Sequence, residues 1–571
     1  MTTQQASAAR QAGTETAEEL AAPLDFLLTA AATGPLHRFR PNSSWVRLAG
    51  KLAAQPAAVA RRTKDLAGQL SRIAIGNSDR APSKRDRRFQ DPAWTNNPVL
   101  RRVLQAYLAS AETAETLLAD AKLGWRDHER MSFVVSNLAE ALAPSNNPLL
   151  SPDAWKAAID TGGLNAVAGL RNLVTDLSTP PRVPRMVEPD AFEVGTTLAV
   201  TPGAVVLRTD VFELIQYTPQ ADKVRTVPLL IVPPVINKYY IIDLAPGRSL
   251  VEYYLQQGIQ VFVISWRNPD ARHREWDSDT YGQAIVDAMD ATQRICRSDQ
   301  IQLCATCSGG NLASMLLAHL ADSGQLDRVT SFTLTVTMLD SAQAGLVSAF
   351  ADERVAAAAV AASASRGYLD GRSLAEVFAW LRPTDLIWTY WINNYLQGRP
   401  APPFDVLFWN ADTTRMTAGL HRDFVGNGLT NALTKPGEAK MLGTAVDLGK
   451  VSVASYVIAG IADHICPWQA CYRSTQLLGG ENKFVLSTAG HIASMVNPPT
   501  NPKASFQVNE HNPPDPQEWL KTASTVQGSW WPDHAAWLNE RGGRLKPAPT
   551  QLGGAGLHPM EPAPGTYVFD T

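Results

Sequence analysis

No stretch of this 571-residue chain stays apolar for the roughly 18 to 20 residues that a bilayer-spanning helix needs, so no transmembrane segment is expected. The opening residues, Met-Thr-Thr-Gln-Gln-Ala-Ser-Ala-Ala-Arg, have neither the basic start nor the apolar centre of a secretory signal. An excess of basic charge is missing as well: 51 Lys and Arg stand against 54 Asp and Glu, a formal net charge of −3. A general nucleic-acid binder needs a basic face to neutralise phosphates, so nucleic acid is not an expected partner. Cysteine is scarce, and five thiols, an odd number in a long chain, do not make a disulfide framework. A reducing, cytoplasmic setting is expected, which keeps a reactive thiol usable.

What is present describes a folded protein with an apolar lean, 45% hydrophobic and 18% charged. Its length exceeds what one hydrophobic core usually supports, so two structural units are expected. The fifteen tryptophans cluster. Trp519, Trp530, Trp531 and Trp537 read as core residues, whereas Trp380, Trp388, Trp391 and Trp409 fit a core or an apolar, substrate-lining surface about equally.

Residues 1 to about 25, rich in Ala, Thr, Gln and Glu, are expected to be mobile. Val46 to Ile75 has apolar residues at helical spacing with Lys51, Arg61, Arg62, Lys64 and Arg72 between them. It is either a surface helix packed on its own domain or a basic amphipathic helix seeking an interface. Helical patterns such as Val99–Ala119 and Phe133–Leu142 follow, separated by Pro and Asn breaks. A helical N-terminal domain over residues 1–190 is expected, with the Pro-rich Thr179–Pro184 as linker. From 191 to 571 the pattern changes. Strand-like runs at Ala204–Leu207, Phe212–Tyr217, Leu229–Val232 and Val261–Ser265 alternate with helical runs near Ser249–Gln257 and Tyr281–Cys296. That alternation predicts a largely parallel sheet with helices on both faces.

The most informative segment is Leu303-Cys304-Ala305-Thr306-Cys307-Ser308-Gly309-Gly310. An apolar strand leads into it and a helix-forming run leaves from Asn311, so Cys307 stands at the apex of a tight strand–turn–helix. This is the layout of the nucleophile elbow of the α/β-hydrolase fold, with cysteine in place of the usual serine and Ala305 in place of the first glycine. A thiol there points to thioester chemistry. On this fold the chain order is nucleophile, acid, base. Asp463 follows the strand-like Ser455–Gly460, and His491 follows Lys483–Leu486, which places acid and base where the fold expects them. His491 would take the thiol proton and Asp463 would orient the imidazole. The backbone N–H groups of Ser308 and Val235 are the expected oxyanion donors. His464, beside Asp463, is a competing base but fits a supporting role better. Cys304-x-x-Cys307 could be half of a redox or zinc motif, yet no second Cys pair has matching spacing, so neither metal nor cofactor is expected.

More than 150 residues separate Cys307 from Asp463, far more than the sheet needs. The excess, residues 341–443, is expected to form an aromatic cap that covers the cleft and excludes water.

These segments together resemble the polyhydroxyalkanoate synthases, the polymerases that make bacterial storage polyester. The resemblance extends from about Arg87 and rests on Phe89-Gln90-Asp91-Pro92-Ala93-Trp94, Ala191-Phe192-Glu193-Val194-Gly195 and Pro233-Pro234-Val235-Ile236-Asn237-Lys238-Tyr239-Tyr240. Ser265-Trp266-Arg267-Asn268-Pro269, the cysteine elbow, Asp463-His464-Ile465-Cys466-Pro467-Trp468 and Gly490-His491-Ile492 complete it. The family's catalytic residues fall on Cys307, Asp463 and His491. The resemblance implies iterative acyl transfer from (R)-3-hydroxyacyl-coenzyme A through an acyl-cysteine, with release of coenzyme A. It also implies a homodimer associated with polyester granules, and Ser308 leans toward the medium-side-chain class. Two departures stand out: Ala305, whose methyl either strains the elbow or is small enough to be tolerated there, and Ser494, where the family often has glycine. A cysteine-dependent thioesterase or polyester depolymerase on the same fold is the alternative reading.

Overall fold

The computed structural model describes residues 24–33, 43–83, 86–178, 180–341 and 353–571. The expected mobile end lies almost wholly outside these residues, as does the start of the expected cap. Among the described residues everything before residue 180 that is regular is helical: α1 (Leu24–Thr33), α2 (Ser43–Ala53), α3 (Pro56–Ala74), α4 (Pro98–Asp120), α5 (Trp125–Ala141), α6 (Pro152–Thr161) and α7 (Leu164–Ser178), with short turns between. The single helix expected over Val46–Ile75 is therefore two. Pro56 occupies the first turn of α3, where its fixed φ and missing N–H are tolerated, but it cannot continue the helix before it. α3 packs on α4, and Arg62 pairs with Asp120 at 2.7 Å, as befits a surface helix. Asn97 starts α4 by accepting the N–H groups of Val99 and Leu100 at 2.9 and 3.2 Å.

From Gly203 onward the chain builds a ten-stranded sheet. Its strands are β1 (Gly203–Arg208), β2 (Phe212–Tyr217), β3 (Leu229–Val232), β4 (Val261–Trp266), β5 (Ile301–Thr306), β6 (Val329–Thr335), β7 (Ser455–Gly460), β8 (Asn482–Ser487), β9 (Ser505–Val508) and β10 (Ser524–Gln527). They lie in the order β1-β2-β4-β3-β5-β6-β7-β8-β9-β10. The six central strands, β4 through β8 in that order with β3 among them, are mutually parallel. The two strands at each edge are antiparallel, so the sheet is mixed rather than parallel throughout.

Both faces of the sheet are covered, and side chains alternate between them as a period of two requires. Leu230, Val232, Leu303 and Ala305 point into one buried cluster, shared with α8 (Ser278–Cys296) and α9 (Ser308–Asp322). Leu229, Ile231, Cys304 and Ile458 point into the other. There Trp530, Trp531 and Trp537 fill the core, and Trp519 is buried on the first face, so the C-terminal tryptophans are core residues as expected.

The chain between β6 and β7 forms an insertion containing α10 (Glu353–Arg366), α11 (Gly371–Leu381), two π-helical turns at Thr384–Trp388 and Trp391–Leu396, and α12 (Ala418–Thr430). α1 lies against α10, α11 and α12, with Leu27 and Leu28 fully buried. His421 fixes it there, Nε2 facing the Leu28 carbonyl at 3.3 Å and Nδ1 facing Ser363 Oγ at 2.7 Å. The middle tryptophans also tie elements together: the Trp391 indole donates to the Asn146 carbonyl and Trp409 to the Lys238 carbonyl.

α7 meets the insertion with its polar side. Asn165 and Asn172 donate to the carbonyls of Leu396 and Asn394, and Tyr395 donates to Asp176. Gly169 permits this approach, because a Cβ there would stand 1.9 Å from the Tyr395 carbonyl oxygen. Gly169→Ala is expected to lower the thermal unfolding midpoint by an amount equivalent to about 1–3 kcal/mol, the usual cost of overpacking. An unchanged midpoint would show that this contact is not close-packed.

Candidate active site

β5 ends at Thr306 and α9 begins at Ser308, leaving Cys307 alone to reverse the chain. Its backbone stands at φ 50°, ψ −122°, a conformation that L-residues rarely adopt. The turn is held by the Cys307 N–H, which donates to the Thr335 carbonyl on β6 at 3.0 Å. Two glycines make room behind it. A Cβ on Gly309 would stand 2.3 Å from the Pro233 carbonyl oxygen, and one on Gly310 would stand 2.2 Å from Thr337 Oγ1. Ala305 does not strain the turn. It is an extended strand residue, fully buried, opposite Val232 and Leu334 on the neighbouring strands. Its methyl is core, and the conformational demand falls on Cys307 itself.

Asp463 and His491 arrive from the ends of the next two parallel strands. β7 ends at Gly460, and the loop after it is tied to the loop after β8 by the Ile461 and Ala462 N–H groups, which donate to Ser487 and Ala489. Asp463 is buried, and its Oδ1 accepts the N–H groups of Ile465 and Cys466 at 2.8 and 2.9 Å. Its Oδ2 is thereby aimed at His491 Nδ1, 2.7 Å away. With Nδ1 so engaged, Nε2 is the nitrogen left to meet the Cys307 thiol, which is near enough to help raise the His491 pKa. The three residues expected from chain order thus come together.

The electrostatics of that group follow from burial and neighbours. Burial alone would pull His491 down, but the Asp463 carboxylate and the hydrogen bonds to Asp463 and Cys307 raise it to about 10. Cys307 is pushed well up by its hydrogen bond with Cys466 and by burial, against the pull of His491. A neutral imidazole here is therefore a strong base toward a thiol that does not ionise unaided. The arrangement can form a thiolate, hold the imidazolium that results, and return the proton to a leaving group.

The other expected residues fall nearby. Ser308 opens α9, so its N–H has no acceptor within the helix. The Val235 N–H reaches the same place but donates to Ser308 Oγ at 3.1 Å, so the serine hydroxyl occupies the second expected oxyanion donor. His464 is half-buried beside Asp463, and its Nδ1 has no hydrogen-bond partner among the described residues. Burial and the positive charges of Arg382 and His491, against Asp463, take it down to about 4. Arg382 belongs to the insertion. Cys304 points to the opposite face of the sheet among apolar side chains, so Cys304-x-x-Cys307 is not a paired site. Ser494 lies against Gly460, at whose position a Cβ would meet Ser494 Oγ at 2.5 Å.

One neighbour was not singled out from the sequence. Cys466 is buried and presents its sulfur within 4.8 Å of the ligand-type atoms of Asp463 and His491. A cysteine three residues beyond the acid, on the same strand-end loop, was the available signal.

Comparisons with known proteins give the chain's family. Residues 85–254 match the family described as the N-terminus of poly-beta-hydroxybutyrate polymerase (PhaC), and residues 243–498 match the alpha/beta hydrolase fold. The chain is 47% identical to poly(3-hydroxyalkanoate) polymerase 2 of Ectopseudomonas oleovorans over 504 residues, covering 88% of this chain and 90% of that one. It is 45% identical to polymerase 1 of the same organism, covering 90% and 92% of the two chains. Against the poly(3-hydroxyalkanoate) polymerase subunit PhaC of Cupriavidus necator it is 40% identical, covering 89% and 87%. With a cysteine elbow on an α/β-hydrolase sheet and such likeness along nearly its whole length, the chain belongs to the poly(3-hydroxyalkanoate) polymerase family.

Proposed function

We infer that the protein polymerises (R)-3-hydroxyacyl-coenzyme A into polyhydroxyalkanoate with Cys307 as nucleophile, His491 as base and Asp463 as the group that orients it. The observation that carries this reading is the Asp463 Oδ2–His491 Nδ1 pair, 2.7 Å apart, on the strand-end loops beside Cys307 at the apex of the elbow.

In the first half-reaction His491 Nε2 takes the thiol proton and the thiolate attacks the acyl carbonyl. The oxyanion forms beside the Ser308 N–H, and the Val235 N–H joins it once the Ser308 hydroxyl rotates away. The carbon–sulfur bond to coenzyme A breaks, and the proton on His491 passes to the departing thiolate. One thioester has replaced another, so the step is nearly balanced. In the second half-reaction His491 takes a proton from the 3-hydroxyl of another hydroxyacyl-coenzyme A, whose oxygen attacks the acyl-Cys307. An oxoester forms, and Cys307 leaves and regains its proton. The lengthened acyl-coenzyme A then returns to Cys307 and the cycle repeats. Water at the acyl-cysteine would end the chain, which gives a covering insertion its purpose. His464, beside Asp463, takes a supporting role.

The reading extends to a homodimer in the cytoplasm, working on the surface of the polyester it makes. The outward side of α7 supports an apolar partner of that kind. Leu164, Val167, Leu170, Val174 and Leu177 form an aliphatic stripe 51–70% exposed, on a helix whose polar side faces the protein. Monomers with medium-length side chains are the favoured substrates.

Incubating the purified protein with 3-hydroxybutyryl- and 3-hydroxyoctanoyl-coenzyme A should release coenzyme A and deposit insoluble polyester, faster with the longer substrate. Soluble hydroxyacid alone would point to a hydrolase. Cys307→Ala should abolish both signals, and polymer formation in that variant would contradict the covalent route. Because Asp463 favours the imidazolium, initial coenzyme A release should rise with pH along a limb above the ordinary histidine range. Asp463→Asn should move that limb to lower pH and slow the reaction about 10²–10⁴-fold; a limb unmoved by the substitution would detach Asp463 from His491. Leu170→Lys with Val174→Lys should weaken sedimentation with polyester particles while leaving initial coenzyme A release intact, and undiminished sedimentation would remove α7 from the contact.

A further inference from the structure

The loop after β3 carries Val235, yet its backbone does little to hold itself in place. Pro233 and Pro234 have no N–H to donate, and residues 234–237 form no backbone–backbone hydrogen bond among the described residues. Asn237 turns through φ 63°, outside any regular element. Side chains fix the loop instead. At its start the Trp266 indole donates to the Pro233 carbonyl at 3.1 Å. In its middle the Val235 N–H donates to the Ser308 hydroxyl. At its end the Trp409 indole, from the insertion, donates to the Lys238 carbonyl at 2.7 Å.

Lys238 adds the tie that comes from farthest along the chain. It is 3% exposed, and its Nζ donates to the Asp570 carbonyl at 2.5 Å, 332 positions on. The same carbonyl accepts Asn268 Nδ2 at 3.2 Å, and Asn268 Oδ1 accepts the Arg415 N–H of the insertion at 2.8 Å. Burying an ammonium is costly unless it is hydrogen-bonded and matched by charge. Here the Asp412 and Asp570 carboxylates favour the charged form, against burial, which pulls the group down. A methionine of similar length would fill the slot without that cost, so packing alone does not call for a lysine. What the ammonium supplies is a directed hydrogen bond between the loop and the segment Tyr567–Asp570.

The reaction makes that bond matter. When the oxyanion forms, the Ser308 hydroxyl gives up the Val235 N–H and the loop loses its middle contact. Val235 then keeps its place through the ties at Pro233 and Lys238, two residues before it and three after. We propose that Lys238 is a positioning residue for acyl transfer, which holds the Val235 N–H on the developing oxyanion by anchoring the loop to the Asp570 carbonyl. The anchor stands on the contacts above, whereas its effect on the reaction rests on the reading of Val235 as an oxyanion donor. That donor is stronger in the transition state than in the bound substrate, so losing its support falls on kcat rather than on KM.

The test compares full-length Lys238→Met with the native protein in initial coenzyme A release and in amide hydrogen exchange of the peptide spanning residues 233–240. In the variant kcat should fall about 10- to 10²-fold with KM within about threefold of native, and the peptide should exchange faster. Removing residues 570 and 571 takes away the acceptor and leaves Lys238, so it should give the same pair of changes. It is also the second check should Lys238→Met not fold. The two alterations combined should cost no more than either alone, because they break one contact. A lower thermal midpoint with kcat unchanged, a rise in KM with kcat kept, or losses that multiply in the combined variant would overturn the proposal. A native protein that releases no coenzyme A would overturn the polymerase reading instead, and faster exchange in Lys238→Met would still uphold the anchor.

Discussion

The site depends on a backbone conformation at one residue. Cys307 at φ 50° and ψ −122° carries strain of about 1–3 kcal/mol, which persists only where the surroundings over-determine it. They do so from three directions. β6 accepts the Cys307 N–H, the loop after β3 presses on Gly309, and Thr337 presses on Gly310. A side chain at Gly309 would drive α9 off the loop after β3, and one at Gly310 would collide with Thr337. The same close approach brings Val235 to Ser308 and sets the thiol above the sheet, where the loops after β7 and β8 already converge. A parallel sheet presents its strand ends together, and the ends of β5, β7 and β8 supply the thiol, the carboxylate and the imidazole.

The insertion shares the main apolar core through residues such as Leu374, Val377, Leu420 and Phe424, but it meets α7 through polar contacts. α7 turns its asparagines and Asp176 inward to the backbone and Tyr395 of the π-helical turn, and its leucines and valines outward. A soluble helix usually does the reverse. α1, by contrast, buries Leu27 and Leu28 in the insertion itself. The N-terminal segments therefore brace the insertion from two sides, one oily and one hydrogen-bonded. An insertion held in this way can shield a thioester and still respond to what touches α7.

Much of this was legible in the sequence because the informative signals are local. The elbow shows as strand, thiol, glycines and helix within ten residues, and Asp463 and His491 each follow a recognisable apolar strand. Burial of β3 and β4 on both faces is written in their nearly continuous apolar runs. What could not be read depended on distant contacts. Pro56 divides a helix whose apolar spacing continues across it, so the periodicity suggested one element. The antiparallel edge strands carry no mark of direction. Ala305 resembles a defect when compared with a glycine pattern, and only the register with Val232 and Leu334 shows its methyl to be core. The outward stripe of α7 has the same spacing as a buried one, and its sequence gives no sign of which side faces the protein. Cys466 was visible as a residue, but its approach to His491 arises from two separate loops.

The central claim is that the growing chain is held covalently on Cys307. Mixing the protein with a saturating hydroxyacyl-coenzyme A, quenching in acid within the first turnovers and mapping peptides by mass would test it directly. The account predicts hydroxyacyl mass increments, single and multiple, on the peptide containing Cys307, removable by neutral hydroxylamine as thioesters are. Increments confined to another residue, or polymer formed while that peptide stays unmodified, would contradict it.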